Sequence, residues 1–536
     1  RELFETCLLL SKRLDKKYNK QTIAAKMTDV PGHTRSIIDP MYDAGIRLLH
    51  VGINSACPLP SVPTFCRWRS PSGNDLLLVY QKDYGEDEVL PDGKTVVSIN
   101  FTGDNHGPHS YERVKKIYAD LRKRYPQAQL VGASFNDVAR ELLLIKKDLP
   151  VVTSEIGDTW IFGYGGAPIR MAKFRAVSRL YSQWLNEGKI KKDSDVALDF
   201  AAELGLIAEH TQGVDVKTHL RQWDKYDMDK FLKGRSEGVF SMAEASWKEI
   251  DNYIDSAIAF LPASLQKEAR EVVAEVDKVK LEDNSKMKPM ARKRWEQPIA
   301  GGMTLAGLSY QMFDGDDYDD FQNRYLRARY EWALDDLGKR GLKESHAVSV
   351  TLYAQTMAQS VRKEKKGTRI ITELRFPENE KVDKRVYPER IQVNCFTTKN
   401  GKRSEVALTI YGKPAVRLPE SYWLSFTVPG IESVIAEKMG ERVNLMDVVE
   451  KGNRQMHGID RYVDLITSGE TIRISSKEAF LLNVGEAQGL NYSTNYPDKR
   501  KGVHFNLNNN LWGTNFSMWN EGSLTYHFVI ETLSRK

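Results

Sequence analysis

Two aspartates directly follow apolar, strand-like runs in the first part of the chain. Asp29 comes after TIAAKM, in T-D-V-P-G-H-T, and Asp104 comes after KTVVSINF, in T-G-D-N-H-G-P-H. In parallel α/β folds the working residues lie in loops just past the C-terminal ends of the strands. Two carboxylates there suit a paired nucleophile and acid, as in the hydrolysis of glycosides. The alternative is that both aspartates cap the following turn or helix, because Asp is common beside Gly and Pro.

Histidines lie close to these aspartates and again further along the chain. His33, His106 and His109 are near the two aspartates in sequence, while His210 ends ALDFAAELGLIAEH and His219 follows it. Imidazole and carboxylate together suit zinc. The alternative for each histidine is a hydrogen-bonded or helix-terminal role. The sequence has no H-E-x-x-H, so spacing alone predicts no metal site, and it has no P-loop or G-x-G-x-x-G after a strand, which disfavours nucleotide chemistry.

Aromatic and amide side chains are dense in two further stretches. The first, E-I-G-D-T-W-I-F-G-Y-G-G-A-P, carries Asp158, Trp160 and Tyr164. The second, H-F-N-L-N-N-N-L-W-G-T-N-F-S-M-W-N, carries Asn508, Asn509, Trp512, Asn515 and Trp519. Flat aromatic faces beside amides suit sugars, which present C–H faces and hydroxyls. Either stretch is equally well explained as a packed turn whose polar groups are satisfied internally.

The elements that must position these residues begin with an α/β stretch, up to about residue 155. Apolar runs alternate there with amphipathic ones, and SYERVKKIYADLRKRY has an apolar stripe at i, i+3, i+4 and i+7 that would lie on a sheet. The stripe consists of Val114, Ile117, Tyr118 and Leu121. This rhythm predicts a parallel sheet with right-handed crossovers.

Two further stretches follow. From about 168 to 280 the periodicity is helical, which predicts a bundle, and a polar linker extends over roughly 281 to 298. Beyond it, runs such as TRIITELRF and EVALTIYG predict a sandwich-like β region, interrupted by one helical insertion around NLMDVVEKGNRQM. We therefore expect a multidomain α/β + α + β chain with domains at 1–160, 161–280 and 281–536.

Composition excludes several classes of protein. The 536 residues include 41% hydrophobic and 28% charged residues, with a formal net charge of +6, which is ordinary for a globular protein and excludes intrinsic disorder. The basic run VRKEKKGTR is too short for a nucleic-acid footprint, so we expect no nucleic-acid partner. No apolar run is long enough for a membrane span. The four cysteines form no C-x-x-C pair and no disulfide framework.

With these motifs in view, the sequence resembles the α-mannosidase-like glycoside hydrolases of family 38, in an uncharacterised branch. The resemblance covers most of the chain and implies a partial (β/α) barrel, a three-helix bundle and β-sandwich domains. T-D-V-P-G-H is similar to the family's D-x-F-G-H, which implies Asp29 as nucleophile and zinc ligand. A-E-H-T-Q-G is similar to H-H-D-A, which implies His210 as a zinc ligand. T-G-D-N-H is similar to the G-D-D segment that carries the general acid, and the two aromatic and amide stretches are similar to loops that line the sugar subsites.

The sequence departs from the family pattern at two points. The position of the family's acid is Asn105, which cannot donate the proton, so Asp104, His106 or His109 would have to serve. The family's first two zinc ligands lie in an H-x-D motif, and none occurs before Asp29. The chain starts at Arg1 inside a helix-like run. The resemblance leaves three alternatives: the first barrel strand and half of the metal site precede Arg1, have been lost or lie on another chain; the protein holds its metal in another way; or it holds none.

The leading hypothesis is a zinc-dependent retaining α-glycosidase that cleaves an oligosaccharide or polysaccharide. Retention requires the two catalytic carboxyl groups to be about 5–5.5 Å apart. The first alternative is a carbohydrate-binding protein on the same scaffold without turnover. The second is a metal-dependent polysaccharide deacetylase, because aspartate and histidine ligands also suit water activation. The oligomeric state cannot be inferred from the sequence.

Overall fold

The first region of the chain alternates helices and strands in the computed structural model, which describes residues 1–103, 106–283 and 285–533. Its helices and strands, in chain order, are α1 (Glu2–Tyr18), β1 (Ala24–Asp29), α2 (Ile38–Asp43), β2 (Leu48–Ile53), β3 (Phe65–Arg69), β4 (Asp75–Gln81), β5 (Asp87–Val89), β6 (Val96–Ser98), α3 (Tyr111–Arg124), α4 (Phe135–Leu144) and β7 (Val151–Val152).

A five-stranded sheet organises this region, in the order β1-β2-β4-β3-β7. β1 pairs parallel with β2, β2 pairs parallel with β4, and β3 runs antiparallel to β4. Every residue of β2 and β4 is buried, as expected for strands covered on both faces. The predicted strands TIAAKM and IRLLHVGI are confirmed as the parallel pair β1 and β2. Asp29 therefore stands at the C-terminal end of an edge strand.

Helices cover both faces of this sheet. Ile38 and Met41 of α2 pack with Leu49 and Val51 of β2 on one face, where Leu8 of α1 also contacts the core. On the other face, apolar residues of α4 pack against the alternate residues of the strands, namely Ala139 and Leu142 against Leu48, Leu77 and Val79. Alternate residues of one strand point to opposite faces, so β2 contributes to both cores.

Two expectations for this region are wrong. The run KTVVSINF does not join the main sheet, because Val96–Ser98 pairs antiparallel with Asp87–Val89 in a separate two-stranded hairpin. The intervening P-D-G-K supplies the turn, with Gly93 at φ +68° and Asp92 accepting hydrogen bonds from the next backbone amides. The apolar stripe of α3 also does not lie on the sheet, since only Leu121 in that helix is buried.

The middle region is helical throughout, as predicted. Its helices are α5 (Pro168–Asn186), α6 (Asp195–Gly205), α7 (Val216–His219), α8 (Met228–Ser236), α9 (Ser241–Ala259) and α10 (Ala263–Asp277). The four longest, α5, α6, α9 and α10, share one apolar core that includes Trp184, Phe200, Ile254 and Leu265. Thr6 of α1 also contacts α5, through a 2.7 Å hydrogen bond to the hydroxyl of Tyr181, so this core is continuous with the first region.

The last region consists mainly of antiparallel strands. Its helices are α11 (Gly315–Tyr325) and α12 (Glu331–Asp336). Its strands are β8 (Lys288–Pro289), β9 (Gln297–Pro298), β10 (Thr304–Met312), β11 (Val350–Tyr353), β12 (Gln355–Glu364), β13 (Gly367–Arg375), β14 (Arg390–Thr398), β15 (Arg403–Lys413), β16 (Glu420–Thr427), β17 (Ile431–Lys438), β18 (Glu441–Asn444), β19 (Met456–Gly458), β20 (Tyr462–Thr467), β21 (Thr471–Ser476), β22 (Leu481–Val484), β23 (Val503–Asn509) and β24 (Gly522–Leu533).

Two large sheets of this region share a hydrophobic core. The seven-stranded sheet runs in the order β11-β10-β16-β23-β22-β19, with β9 beside β10, and the ten-stranded sheet runs β18-β17-β20-β21-β24-β15-β14-β13-β12-β8. Phe426 and Phe505 of the first sheet pack against Phe528 of the second, with ring centroids 5.4 and 5.1 Å apart. The predicted β-rich runs TRIITELRF and EVALTIYG are confirmed as β13 and β15.

The prediction of a helical insertion around NLMDVVEKGNRQM is wrong. Between β18 and β19 the chain forms turns and one isolated bridge, Glu155 with Val448. The guanidinium of Arg454 donates to carbonyl groups of this segment, including Val448 at 2.7 Å. Contacts with the first region and with Arg454 therefore replace the helical hydrogen bonds that its periodicity would favour. None of the helices in the described ranges combines the length and apolar character that a membrane crossing needs.

Candidate active site

Asp29, the last residue of β1, has an unusual backbone conformation. Its φ is +84°, in the region that residues with side chains rarely adopt, and its carbonyl accepts from the backbone amide of Asn54 at 2.8 Å. The following loop pairs with a distant segment, because the amide of His33 donates to the carbonyl of Ile156 at 2.7 Å. Such strained positions concentrate at functional sites, where the surrounding structure holds them.

Three donors from separate segments converge on the carboxylate of Asp29. Oδ1 accepts from the amide of Asn54 at 2.9 Å and from the hydroxyl of Tyr84, and Oδ2 accepts from Nε2 of His210 at 3.1 Å. Burial alone would raise the pKa of Asp29, but the hydrogen bonds from His210, Tyr84 and Asn54 outweigh it and hold the pKa below its usual value. Asp29 is therefore an ionised carboxylate at neutral pH.

His210 lies between two carboxylates. Its Nδ1 contacts Glu209 and its Nε2 contacts Asp29. Burial alone would lower the pKa of His210, but the hydrogen bonds to Asp29 and Glu209 raise it to about 9. The ring also packs against Trp160, with centroids 5.8 Å apart. The side chains of Asp29 and His210 remain 15% and 25% exposed, so a ligand can reach the pair.

The loop that carries His210 is braced from two sides. The side-chain amide of Gln212 donates to the carbonyls of Ile207 and Glu209 at 2.9 and 2.8 Å, and its oxygen accepts from Arg170 of α5 at 2.9 Å. The hydroxyl of Tyr164 donates to the carbonyl of Glu209 at 2.9 Å. Tyr164, which we expected to contact a sugar, thus positions the loop of His210.

Asp158 is a second carboxyl group near the loop of His210, and its environment is more buried. Its oxygens accept from the backbone amide of Trp160 at 3.1 Å and from the hydroxyl of Tyr325 at 3.0 and 3.2 Å. Burial raises its pKa to about 7, although these hydrogen bonds oppose the shift. A side chain at Gly32, three residues after Asp29, would collide with Asp158, since a Cβ there would lie 2.7 Å from its Cβ. The two carboxyl-bearing segments therefore lie directly against each other.

The aromatic residues of the two expected sugar-binding stretches mostly pack inside the protein. Trp160 is 3% exposed, donates from Nε1 to the sulfur of Cys57 at 3.2 Å, and packs against Trp512 with centroids 5.5 Å apart. Trp519 packs against Trp247, with centroids 4.7 Å apart. An exposed aromatic ring, Phe101, lies next to Tyr84 instead: it is 41% exposed and its ring centre is 5.3 Å from that of Tyr84.

The amides of the second stretch are also used internally. The side-chain amide of Asn509 donates to the carbonyl of Phe162 at 3.0 Å and to Oδ1 of Asn506 at 2.8 Å. The carbonyl of Asn515 accepts from the backbone amide of Gln212 at 2.5 Å, which ties this stretch to the loop of His210. Asn509 and Asn515 thus brace the site from inside.

The other expected histidines lie among the described residues, and none of them hydrogen-bonds to the carboxylate of Asp29. Asp104 and Asn105 fall outside the described residues. His106 is exposed, and His109 contacts the carbonyl of Asn100 at 3.0 Å. His219 is exposed at the end of α7, and burial lowers the pKa of His33 to about 4.

Sequence reasoning did not identify Asn54 or Tyr84. Each follows a strand of the main sheet, β2 and β4 respectively, at the same edge as Asp29. The rule that located Asp29, polar residues just past the ends of parallel strands, could have found both. Nothing in the sequence pointed to Gln212 or Tyr325, because their contacts join segments far apart in the chain.

The described residues do not by themselves fit the expected zinc. Asp29 and His210 meet, but they form a direct ion pair, and catalytic zinc has three protein ligands. Across residues 1–103, 106–283 and 285–533, no group of three or more His, Cys, Asp or Glu side chains could hold a metal ion. The zinc expectation stays a prediction that needs further ligands.

Comparisons with known proteins show which folds this chain resembles. The family model described as "Domain of unknown function (DUF5054)" matches residues 165–297, and none of the curated proteins matches the chain. Among solved structures, the chain is similar to an alpha-mannosidase from Enterococcus faecalis V583, with a TM-score of 0.53, 10% identity, and 99% of this chain and 76% of that chain covered. It is also similar to a protein in the glycosyl hydrolase family 38 from Enterococcus faecalis, with a TM-score of 0.46, 9% identity, and coverage of 99% and 75%. The first likeness shows a shared multidomain fold of helices and sheets.

Proposed function

We propose that this chain is a retaining α-glycosidase of the α-mannosidase type that cleaves an oligosaccharide or polysaccharide at Asp29. The observation that carries the proposal is the ionised carboxylate of Asp29 at the end of β1, held by Asn54, Tyr84 and His210 and open to solvent. The fold likeness to a protein described as an alpha-mannosidase supports the same assignment.

The role of Asp29 is that of nucleophile. Its oxygen attacks the anomeric carbon and forms a glycosyl ester while the bond to the leaving oxygen breaks. A protonated acid gives its proton to that oxygen, then accepts a proton from the water that hydrolyses the ester. Asn54 and Tyr84 orient the carboxylate, and the positive charge of His210 stabilises the negative charge that returns to Asp29 when the ester is cleaved.

The identity of the general acid is a separate part of the proposal. Asp104 and His106 are the candidates that follow from the motif T-G-D-N-H, and Asp104 would need to lie about 5–5.5 Å from Asp29. Asp158 is an additional candidate, because its pKa of about 7 keeps a large fraction protonated near neutral pH.

The sugar would contact the exposed side of the site. Tyr84 contacts the carboxylate of Asp29, and the exposed ring of Phe101 packs against Tyr84, so the two rings offer aromatic surface that suits the C–H face of a pyranose ring. Asp158, Trp160, Tyr164, Asn509, Trp512 and Asn515 would then shape this site from behind, a more indirect role than the sequence suggested.

The proposal extends to the domains and the metal. We propose that residues 1–160 correspond to the partial (β/α) barrel of the family, 161–280 to its three-helix bundle and 281–536 to its β-sandwich domains. Zinc would be held by Asp29 and His210 together with ligands beyond those described. The proposed roles of Asp29, Asn54, Tyr84 and His210 do not involve zinc, because two ligands do not make a catalytic zinc site.

The test is turnover of a panel of aryl α- and β-glycosides by the parent chain and by Asp29→Asn, each with and without added zinc. We expect release of the aryl group from an α-mannoside and a loss of at least about a thousandfold in kcat in the variant. Asp43→Asn, at an exposed position of α2, is the matched control and should keep parental activity.

Three outcomes would count against the proposal. Full activity of Asp29→Asn would show that Asp29 is not the nucleophile. Sugar binding by the parent chain without turnover of any glycoside would favour a carbohydrate-binding protein, and release of acetate from an acetylated polysaccharide would favour a deacetylase.

A further inference from the structure

A small cavity outside the candidate active site is bordered by two cations. Lys339 lies in the turn after α12, and Arg417 lies in the loop between β15 and β16. The cavity has a volume of about 10 Å³, and its wall also includes Trp223, Tyr226 and Met518. A space of this size holds one water molecule or one small ion.

Arg417 is buried without a carboxylate partner in the described part of the chain. It is 2% exposed, and its guanidinium donates to the carbonyl of Gln222 at 2.7 Å and, at longer range, to those of Lys225 and Leu220 at 3.4 and 3.5 Å. Its guanidinium carbon lies 4.7 Å from the ring centre of Tyr226. These contacts engage Nη1 and Nη2 with carbonyl groups and a ring, and none of them brings a negative charge to Arg417.

The positive charge of Lys339 has even fewer polar contacts than that of Arg417. The only polar contact of its amine within the described residues is the sulfur of Met518, at 3.0 Å. Burial, together with the smaller effect of the charge of Arg417, lowers the pKa of Lys339 to about 7. Asp335 also lines the cavity, but its carboxylate pairs with Arg340 at 3.2 Å, and Asp224 nearby pairs with Lys225 at 3.3 Å. The carboxylates around the cavity are therefore engaged with other cations.

An ammonium group has three donors and is costly to bury without an anion. Two positive charges beside one small cavity with aromatic walls would be stabilised by a single negative ion. A monatomic ion fits where sulfate or phosphate would not, because the space admits one water-sized particle and the walls offer no array of donors. We propose that the cavity between Lys339 and Arg417 is a binding site for a monatomic halide, in practice chloride.

This site is independent of the proposed glycosidase activity. Gly513 lines the cavity, and its neighbour Trp512 packs against Trp160. A bound halide therefore stabilises the residues that pack behind the candidate active site. A ligand that binds only the folded state raises the unfolding temperature in a saturable way. The expected effect of chloride is therefore on stability.

The test compares unfolding temperatures in sodium chloride, sodium bromide and sodium gluconate at equal ionic strength of about 0.1 M. We expect chloride and bromide to raise the unfolding temperature of the parent chain by at least about 1 °C over gluconate, with saturation. Lys339→Met should abolish this difference and Lys339→Arg should retain it. Lys365→Met, at an exposed turn, is the control and should behave like the parent.

A second measurement does not depend on any variant. Crystals of the parent chain grown in bromide should show an anomalous peak within about 3.5 Å of Nζ of Lys339. The proposal is overturned by equal unfolding temperatures in halide and gluconate, by a halide effect that persists in Lys339→Met, or by a bromide-free cavity. The first and third results would mean that water alone fills the space.

Discussion

Among individual residues, Asp29 and Asp158 show how the surroundings of two identical side chains give them different pKa values. Asp29 receives hydrogen bonds from an amide, a phenol and a charged imidazole, which hold its pKa below the usual value. Asp158 has only uncharged donors, and burial raises its pKa to about 7. Carboxyl pairs that differ in this way supply a base and an acid in many hydrolases. Asp158 should therefore be tested as a proton donor as well as a residue that shapes the site.

The proton of Asp158 has a measurable consequence for stability. Its pKa in the folded chain, about 7, exceeds that of an unfolded aspartate, about 3.9, so folding favours the protonated form. Its contribution to stability is present in full below pH 4 and is lost as the pH rises to 7, at up to about 1.4 kcal/mol per pH unit. Asp158→Asn, which resembles the protonated form, should gain stability relative to the parent as the pH rises from 4.5 to 7.5.

Urea unfolding of both chains across this pH range checks the prediction. Asp193→Asn, at an exposed position, should track the parent at every pH. A stability difference between Asp158→Asn and the parent that does not change with pH would show that Asp158 is ionised throughout.

Between elements, the site depends on loops more than on the strands that carry them. β1 places Asp29, but the position of His210 depends on Gln212, Arg170 and Tyr164. Gln212 is 2% exposed and uses both ends of its amide, so no other group can replace it there. This linkage joins α5 of the middle region to the loop of His210.

Replacement of Gln212 by Met should disturb this loop without changing the charge. The variant keeps similar volume but leaves the carbonyl of Ile207 and one guanidinium N–H of Arg170 unpaired, which should cost about 2–4 kcal/mol of unfolding free energy. Once a substrate is identified, kcat should fall about tenfold or more, because His210 loses its fixed position beside Asp29.

Denaturant unfolding and steady-state kinetics measure the two effects. Gln183→Met, an exposed position on α5, controls for the substitution itself. Unchanged stability together with unchanged kcat in Gln212→Met would mean that the loop is held by other contacts.

Across the whole molecule, two arginines join the three regions. Arg35, after β1, donates to Glu441 at 2.7 Å and to Asp447 at 3.0 Å in the last region. Arg175 of α5 donates to backbone carbonyls of the last region, among them Lys477 at 3.1 Å. The first and middle regions are thus both attached to the β region, which explains how one site can draw on all three.

Much of the architecture could be predicted from periodicity, and the exceptions have physical reasons. β2 was predictable because a parallel strand that is buried on both faces is an apolar run bounded by polar turns. The run KTVVSINF was equally apolar, but its pairing was decided by the turn at Gly93, which made it half of a hairpin. NLMDVVEKGNRQM has helical periodicity, and contacts with Glu155 and Arg454 overrode it.

The candidate site was predictable only in part. Asp29 could be found from its position after a strand, and His210 from the resemblance to a known motif. Their contact spans 181 residues of sequence, and no local pattern predicts a contact of that kind. Asn54 and Tyr84 follow strands of the same sheet and could have been found by the rule that located Asp29. The roles of Gln212 and Tyr325 depend on long-range contacts, so no local pattern pointed to them.

The whole molecule should lose stability in mild acid because several histidines are buried in the neutral form. Burial lowers the pKa of His50 to about 4, of His457 to about 3 and of His504 to about 4. An unfolded histidine has a pKa of about 6.5, so the unfolded chain binds up to three more protons as the pH falls. These histidines stabilise the fold fully above pH 6.5 and progressively less down to about pH 4, each by up to about 1.4 kcal/mol per pH unit.

His504→Asn tests this at one position. His504 is 7% exposed and contacts the hydroxyl of Ser425 at 2.8 Å, a contact that an amide can also make. The variant should be less stable than the parent at pH 7.5, because a smaller side chain leaves space in the core, but it should lose less stability between pH 7 and 5. His346→Asn, whose parent side chain is 92% exposed, should leave the acid dependence unchanged. An equal loss in His504→Asn and the parent would show that His504 is already protonated in the folded chain, and the acid sensitivity would then have to come from other buried groups.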